Sequence, residues 1–170
     1  LGRRAVTVYE ALEDAGFTTA SVNMTCYRGR TRHRPLVPGL GRVAFGPKRF
    51  FYYSLFESDR TGAPIAVRNR AESSVDAYGA AVGRWLVTRD GFDFLVYYLP
   101  DYDFASHAHG PDKADAALRR SDDAIVALFE AAGGVDEFLE RYAVLLLADH
   151  GQTHVERAAK LQESFADFRL

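Results

Sequence analysis

The chain has 170 residues, the size of one ordinary domain, and 48% of them are apolar against 26% charged, as in a globular protein with a real core. Its 21 Lys and Arg against 23 Asp and Glu leave a net charge of −2, which removes any global electrostatic case for nucleic-acid or membrane binding. The single cysteine, Cys26, cannot close an internal disulfide, and no apolar run approaches the roughly 18 residues of a membrane span.

The first element reads as a helix over 8–15. Thr7 and Glu10 have capping-box spacing, Val8, Ala11, Leu12 and Ala15 share a face, and Gly16 can stop it. Residues 17–24 (FTTASVNM) are rich in β-formers and read as a strand. From Thr25 to Pro47 the chain is rich in Arg, Gly and Pro without sustained periodicity, the mark of a long excursion. The aromatic stretch 48–68 (Phe50, Phe51, Tyr52, Tyr53, Phe56) is expected to form short helical turns over the core edge.

A helix over 73–88 follows from Val75, Tyr78, Val82 and Trp85, with Ser73 or Ser74 as its cap. Residues 92–99 (FDFLVYYL) form a nearly unbroken apolar run, suited to a strand buried on both faces of a parallel sheet. Pro100 to Pro111 then reads as a polar loop. The next helix is predicted from Pro111 to Ala132, with Ala114, Leu118, Ile125, Leu128 and Phe129 inward and Gly133-Gly134 as its stop. A short helical turn is expected at 135–140, and Ala143 to Ala148 (AVLLLA) as a last buried strand. Strands separated by helical crossovers are parallel, so the fold class is α/β, a parallel sheet flanked by helices. Ligands in such sheets sit beyond the carboxyl ends of the strands.

Two segments at those ends are rich in metal-binding groups. Pro100–Pro111 carries Asp101, Asp103, His107 and His109, and Ala148–His154 carries Asp149, His150 and His154. Carboxylate oxygen and imidazole nitrogen are the ligand set of a hydrolytic zinc and also suit manganese or iron. Singly, an Asp at a strand end often only caps the next helix. Two such segments after parallel strands point instead to a metal centre.

The stretch Asp103-Phe-Ala-Ser-His107-Ala-His-Gly110-Pro111 resembles the D-x-x-x-H-x-x-G-P stretch of the type I phosphodiesterase/nucleotide pyrophosphatase family, a branch of the alkaline phosphatase superfamily. Asp149-His150-Gly151 resembles the same family's D-H-G motif. The resemblance covers about residues 90–155 by motif and extends to the whole chain as a fold. It implies an alkaline-phosphatase-like α/β fold and a hydrolase of phosphodiester or phosphomonoester bonds, acting on a small-molecule phosphoester. It also implies two divalent ions, zinc first, with Asp103 and His107 on one and Asp149 and His150 on the other. Two ions about 3.5–4 Å apart clamp the attacking and leaving oxygens of an in-line displacement at phosphorus, and Gly151 is expected to permit a sharp bend at the second pair.

The family's Thr or Ser nucleophile and a further Asp come from segments preceding the matched region, and another His follows the D-H-G motif. No matching nucleophile segment precedes residue 17, and the chain starts with Leu1 in place of Met. The expectation is therefore a partial catalytic domain over 1–170, inactive alone, whose nucleophile lies elsewhere and whose compartment the sequence leaves open.

Asp101, His109 and His154 are further candidate ligands. Asp103 is preferred to Asp101 because it alone stands four residues before the histidine that precedes x-x-Gly-Pro. Arg28, Arg30, Arg32, His33 and Arg34 form a basic cluster. Arg28 and Arg30 are its candidates for a substrate phosphate, against the alternatives of a solvated loop or pairing with acidic surface. Thr25 and Cys26 read as packing residues. Rival readings are a phosphomutase or sulfatase-like member of the superfamily, and a non-catalytic α/β binding domain whose Asp and His only cap helices.

Overall fold

The computed structural model describes residues 2, 4–26, 28–53, 55–65, 74–157 and 159–160. Helix α1 (Val8–Asp14) leads into strand β1 (Thr19–Val22), each close to its predicted place. The capping box forms: the Glu10 N–H donates to Thr7 Oγ1 at 3.2 Å, and the Thr7 N–H donates to Glu10 Oε2 at 3.0 Å. Every residue of β1 is buried.

Between 25 and 47, where the sequence suggests only irregular chain, β2 (Thr31–His33) and β3 (Ala44–Gly46) pair antiparallel. The aromatic stretch departs further from expectation. Instead of helical turns it forms β4 (Arg49–Tyr52) and β5 (Phe56–Ser58), paired antiparallel. Adjacent Phe50 and Phe51 are both buried, which a strand achieves by sending them to opposite faces, and aromatic side chains suit that pleated surface. Residues 66–68 of the stretch lie outside the described residues, as do Tyr27, just before the basic cluster, and Ser73.

Ser74 caps α2 (Val75–Trp85), its Oγ accepting from the Ala77 N–H at 3.1 Å, and the helix runs on through a wider π turn to Asp90. Strand β6 (Phe94–Tyr97) follows, half-buried along its length and not fully buried as its apolar run suggests. The segment read as a polar loop is helix α3 (Asp101–His109). Its acids stand in the first turn and its histidines in the last, which matches the helix dipole. Gly110 (φ 88°) then ends it, and Pro111 cannot continue it.

Pro111 opens a 3-10 turn, and α4 (Asp115–Ala132) starts later than predicted but stops where expected, at left-handed Gly133 (φ 113°). Helix α5 (Val135–Arg141) comes next. Ala143–Ala148 is not a strand: Leu145, Leu146 and Leu147 are 80%, 79% and 75% exposed. An apolar run becomes a strand only through a hydrogen-bonded neighbour, and none pairs with this one among the described residues.

The main sheet has the order β5–β4–β1–β6, with β1 parallel to both β4 and β6 and only β5 antiparallel. The mostly parallel α/β architecture expected from the helical crossovers is thus present. Ala20, Val22, Phe51, Tyr78, Val82 and Leu86 form the core between sheet and α2. Helix α2 also packs on α4, where a Cβ added at Gly83 would stand 2.7 Å from Leu128 Cδ2. Leu128, Ala132 and Phe138 continue this packing towards α5. None of the described helices is long and apolar enough to cross a membrane.

Candidate functional site

Because β1, β4 and β6 are parallel, their carboxyl ends share one edge of the sheet. The chain bends sharply there. Asn23, just after β1, has φ 59°, and Tyr53, just after β4, has φ 45°. Asn23 ties the edge together: its backbone N–H donates to Phe51 O at 2.8 Å and its Nδ2 to Val75 O at 3.2 Å. Left-handed backbone at residues other than glycine is sparse and concentrates at functional sites. Composition gives no sign of either residue; the strand ends do.

Helix α3 is anchored by a reciprocal exchange with α2. The Asp101 carboxylate accepts from the Val75 N–H at 3.0 Å and from Ser74 Oγ at 2.5 Å. In return, Asp76 Oδ1 accepts from the Asp101 N–H at 3.2 Å. Each helix therefore supplies an acid to the unpaired N–H groups that open the other. Helix α4 braces both acids, with Ser121 Oγ donating to Asp76 Oδ2 at 2.5 Å and Arg120 Nε to Asp101 Oδ2 at 3.4 Å. Asp76 is fully buried, and burial, only partly opposed by the Ser121 and Asp101 donors, holds its carboxyl above the usual range. Asp101, a candidate ligand by sequence, thus has its oxygens engaged in joining helices.

Asp103 and His107 stand one turn apart on α3 and face each other, Asp103 Oδ1 lying 3.3 Å from His107 Nε2. The imidazole is 67% exposed and the carboxylate 34%. The D-x-x-x-H spacing is therefore a helical i, i+4 pair.

Asp149 and His150 lie in exposed chain beyond α5. The His150 N–H donates to Asp149 Oδ1 at 3.0 Å, and His150 Nδ1 is 3.3 Å from Gly151 O. His150 Nε2 lies 3.7 Å from Asp149 Oδ1, and an Nδ1–H donated to the Gly151 carbonyl is one arrangement that leaves the Nε2 lone pair available to a metal. Gly151 has no left-handed φ and open space where a Cβ would stand, so the sharp bend expected of it is not the reason for a glycine here. His109 and His154 are exposed.

One phenol reports on both pairs. Burial raises the pKa of Tyr98, and the charges of Asp103, Asp149 and Asp76 raise it further. The two carboxylates, 46 positions apart by number (149 minus 103), therefore act on the same hydroxyl at the end of β6. Tyr53 is pushed up by burial and then by Tyr52, Tyr98, Asp101 and Asp76. Among the described residues, no three His, Cys, Asp or Glu side chains gather as a cation cluster, so the donors stand as two pairs.

The basic cluster divides. Arg28 Nε lies 3.1 Å from Glu10 Oε1, and Arg30 reaches Glu10 at 2.9 Å and grips Asp14 through two contacts of 2.9 and 2.7 Å. Of the readings open to these two guanidiniums, the geometry is that of pairing with acidic surface. His33 is buried, with Nε2 2.7 Å from Pro47 O, and burial lowers its pKa.

Comparison with known proteins agrees with the motifs. A search of curated proteins returned no match, nor did a search of solved structures. The family model described as type I phosphodiesterase / nucleotide pyrophosphatase matches residues 4–168, nearly the whole chain. That family comprises phosphoester hydrolases of alkaline-phosphatase-like fold, in accord with the mostly parallel sheet. With its α/β sheet, the Asp103–His107 turn and the Asp149-His150 pair, this chain belongs to the type I phosphodiesterase/nucleotide pyrophosphatase family.

Proposed function

We propose that this chain supplies part of the catalytic centre of a metal-dependent phosphoester hydrolase, holding two divalent ions of which zinc is the first choice. Asp103 and His107 would hold one ion, and Asp149 and His150 the other. The observation that carries the reading is the Asp103–His107 pair, accessible and 3.3 Å apart on α3 at the carboxyl end of β6. The donor set fits: each pair offers one carboxylate oxygen and one imidazole nitrogen, with no sulfur, as in hydrolytic centres.

When bound, such ions supply Lewis-acid stabilisation of the charge that develops on phosphate oxygens. The chain's own contribution is positioning. The Asp76–Asp101–Ser121 network fixes the start of α3 against α2 and α4, and so fixes where Asp103 and His107 point. A His150 Nδ1–H donated to Gly151 O would leave Nε2 to face the ion. The nucleophile expected from the family lies outside these residues, and a small-molecule phosphodiester or phosphomonoester is the substrate class.

Titration calorimetry with zinc tests this reading on the full chain. His107→Ala and His150→Ala should each weaken zinc binding by at least about tenfold, the scale seen even for indirect metal-site partners. His109→Ala should leave it unchanged. Wild-type affinity in both of the first two variants would overturn the assignment.

A further inference from the structure

The near-neutral total hides a strong local imbalance. Residues 15–56 contain seven Lys and Arg and no Asp or Glu, so the rest of the chain carries −9 (−2 less +7). Part of that positive charge is spent within the fold. Arg28 and Arg30 pair with Glu10 and Asp14, Lys48 Nζ donates to Phe17 O at 2.9 Å, and Arg49 is buried. Arg32, Arg34 and Arg42 remain exposed, and among the described residues none of the three side chains has an ion pair or hydrogen bond.

These three flank the tip of the β2–β3 hairpin. Val37 O accepts from the Leu40 N–H at 3.1 Å across Pro38 and Gly39 (φ 86°), a type II turn. Turn residues are ordinarily polar or glycine and proline, yet Val37 and Leu40 are each 56% exposed, and Val43 and Phe45 on the returning arm are exposed too. The base of the hairpin is fixed. His33 Nε2 lies 2.7 Å from Pro47 O, the Leu36 N–H donates to Leu55 O at 2.9 Å, and Gly62 packs on the Arg32 carbonyl with no room for a Cβ. Arg32, Arg34, Pro38 and Val43 border one open depression, so cations and apolar side chains share a face.

We propose that this hairpin docks the protein on an anionic bilayer surface. Val37 and Leu40 enter the boundary between headgroups and acyl chains, and the three arginines lie at headgroup level. An arginine rests its methylene stem on apolar surface while its guanidinium stays in water. Each such cation strengthens partitioning onto an anionic membrane by about fivefold, and the buried apolar area adds to it. Charge complementarity selects the occupant. A partner protein sets both signs of charge against their complements to fix register, and a stable protein interface takes about 800 Å² from each side. A ten-residue tip (34–43) of one sign suits a surface that is anionic everywhere. The metal reading plays no part in this.

The test is cosedimentation of the full chain with vesicles in metal-free buffer. Vesicles of about seven parts phosphatidylcholine to three of phosphatidylglycerol should bind it, and phosphatidylcholine alone should not. Cholesteryl hemisuccinate in place of phosphatidylglycerol should preserve binding, because its charge is a carboxylate and the surface reads charge, not phosphate. Arg32→Gln, Arg34→Gln and Arg42→Gln together should weaken binding about a hundredfold. The same change at three exposed arginines elsewhere, Arg89, Arg119 and Arg141, should have far less effect. Leu40→Ser should weaken binding about tenfold and carries the test if the triple variant fails to fold. Absence of binding to both anionic vesicles, equal binding to phosphatidylcholine alone, or binding that requires the phosphate lipid overturns the proposal. So does indifference to the arginine and Leu40 substitutions. Retention on polyglutamate without vesicle binding overturns it in favour of an acidic protein partner.

Discussion

Ser121→Ala isolates the interaction on which the placement of α3 depends. The Ser121 hydroxyl donates at 2.5 Å to a fully buried carboxylate, Asp76, which in turn holds the first N–H of α3. Hydrogen bonds to charged groups contribute about 1.5–3 kcal/mol, and the charge left behind stays buried. At about 2–4 °C per kcal/mol for a chain of this size, the melting temperature should fall by about 3–12 °C. The deficit should depend on pH. Burial holds the Asp76 carboxyl above its ordinary value, so the native state binds a proton more readily than the unfolded chain. Wild-type stability from this group is therefore present at acid pH and declines as pH rises through that raised value. Ser121 favours the ionised form, so its loss should cost less on the acid side of that raised value than on the alkaline side. Urea unfolding of wild type and variant across that range measures both effects. In an Asp76→Asn background the acceptor is neutral, and the same substitution should cost about 0.5–1.5 kcal/mol. A deficit below about 0.5 kcal/mol at neutral pH, or one independent of pH, would refute the assigned role.

Other substitutions probe the frame that carries the site. Leu86→Ala removes a fully buried side chain beneath the sheet and should cost about 2–5 kcal/mol in urea unfolding. Gly83→Ala places a methyl 2.7 Å from Leu128 Cδ2 and should destabilise by about 1–3 kcal/mol through overpacking; in a Leu128→Ala background the same substitution should cost less, read as the coupling in a double-mutant cycle. Thr7→Ala deletes the acceptor that caps α1 and should cost about 1 kcal/mol, measured as a lowered urea midpoint with an unchanged slope.

Where local chemistry decides, pattern and structure agree. The Thr7–Glu10 box starts α1, Ser74 caps α2, and left-handed Gly133 ends α4. The helical crossover between β1 and β6 makes them parallel neighbours. The stretch from Asp101 to His109 misleads because its polar residues resemble a loop, although Asp103 and His107 have the spacing of a helical turn. Phe50 and Phe51 mislead in the opposite sense, since adjacent buried aromatics suit a strand covered on both faces.

Sequence alone determined the residue types that make phosphoester chemistry available, their order, and the spacing that puts Asp103 and His107 within reach of each other. Those depend on contacts no longer than a helical turn. Only the tertiary structure decided that Asp101 joins helices through Ser74 and Val75, that Arg28 and Arg30 pair with α1 while Arg32 and Arg34 stay exposed, and that Ala143–Ala148 pairs with no strand among the described residues. Each of those outcomes turns on a partner distant along the chain, and a hydrogen bond or ion pair exists only where folding has placed that partner within about 3 Å.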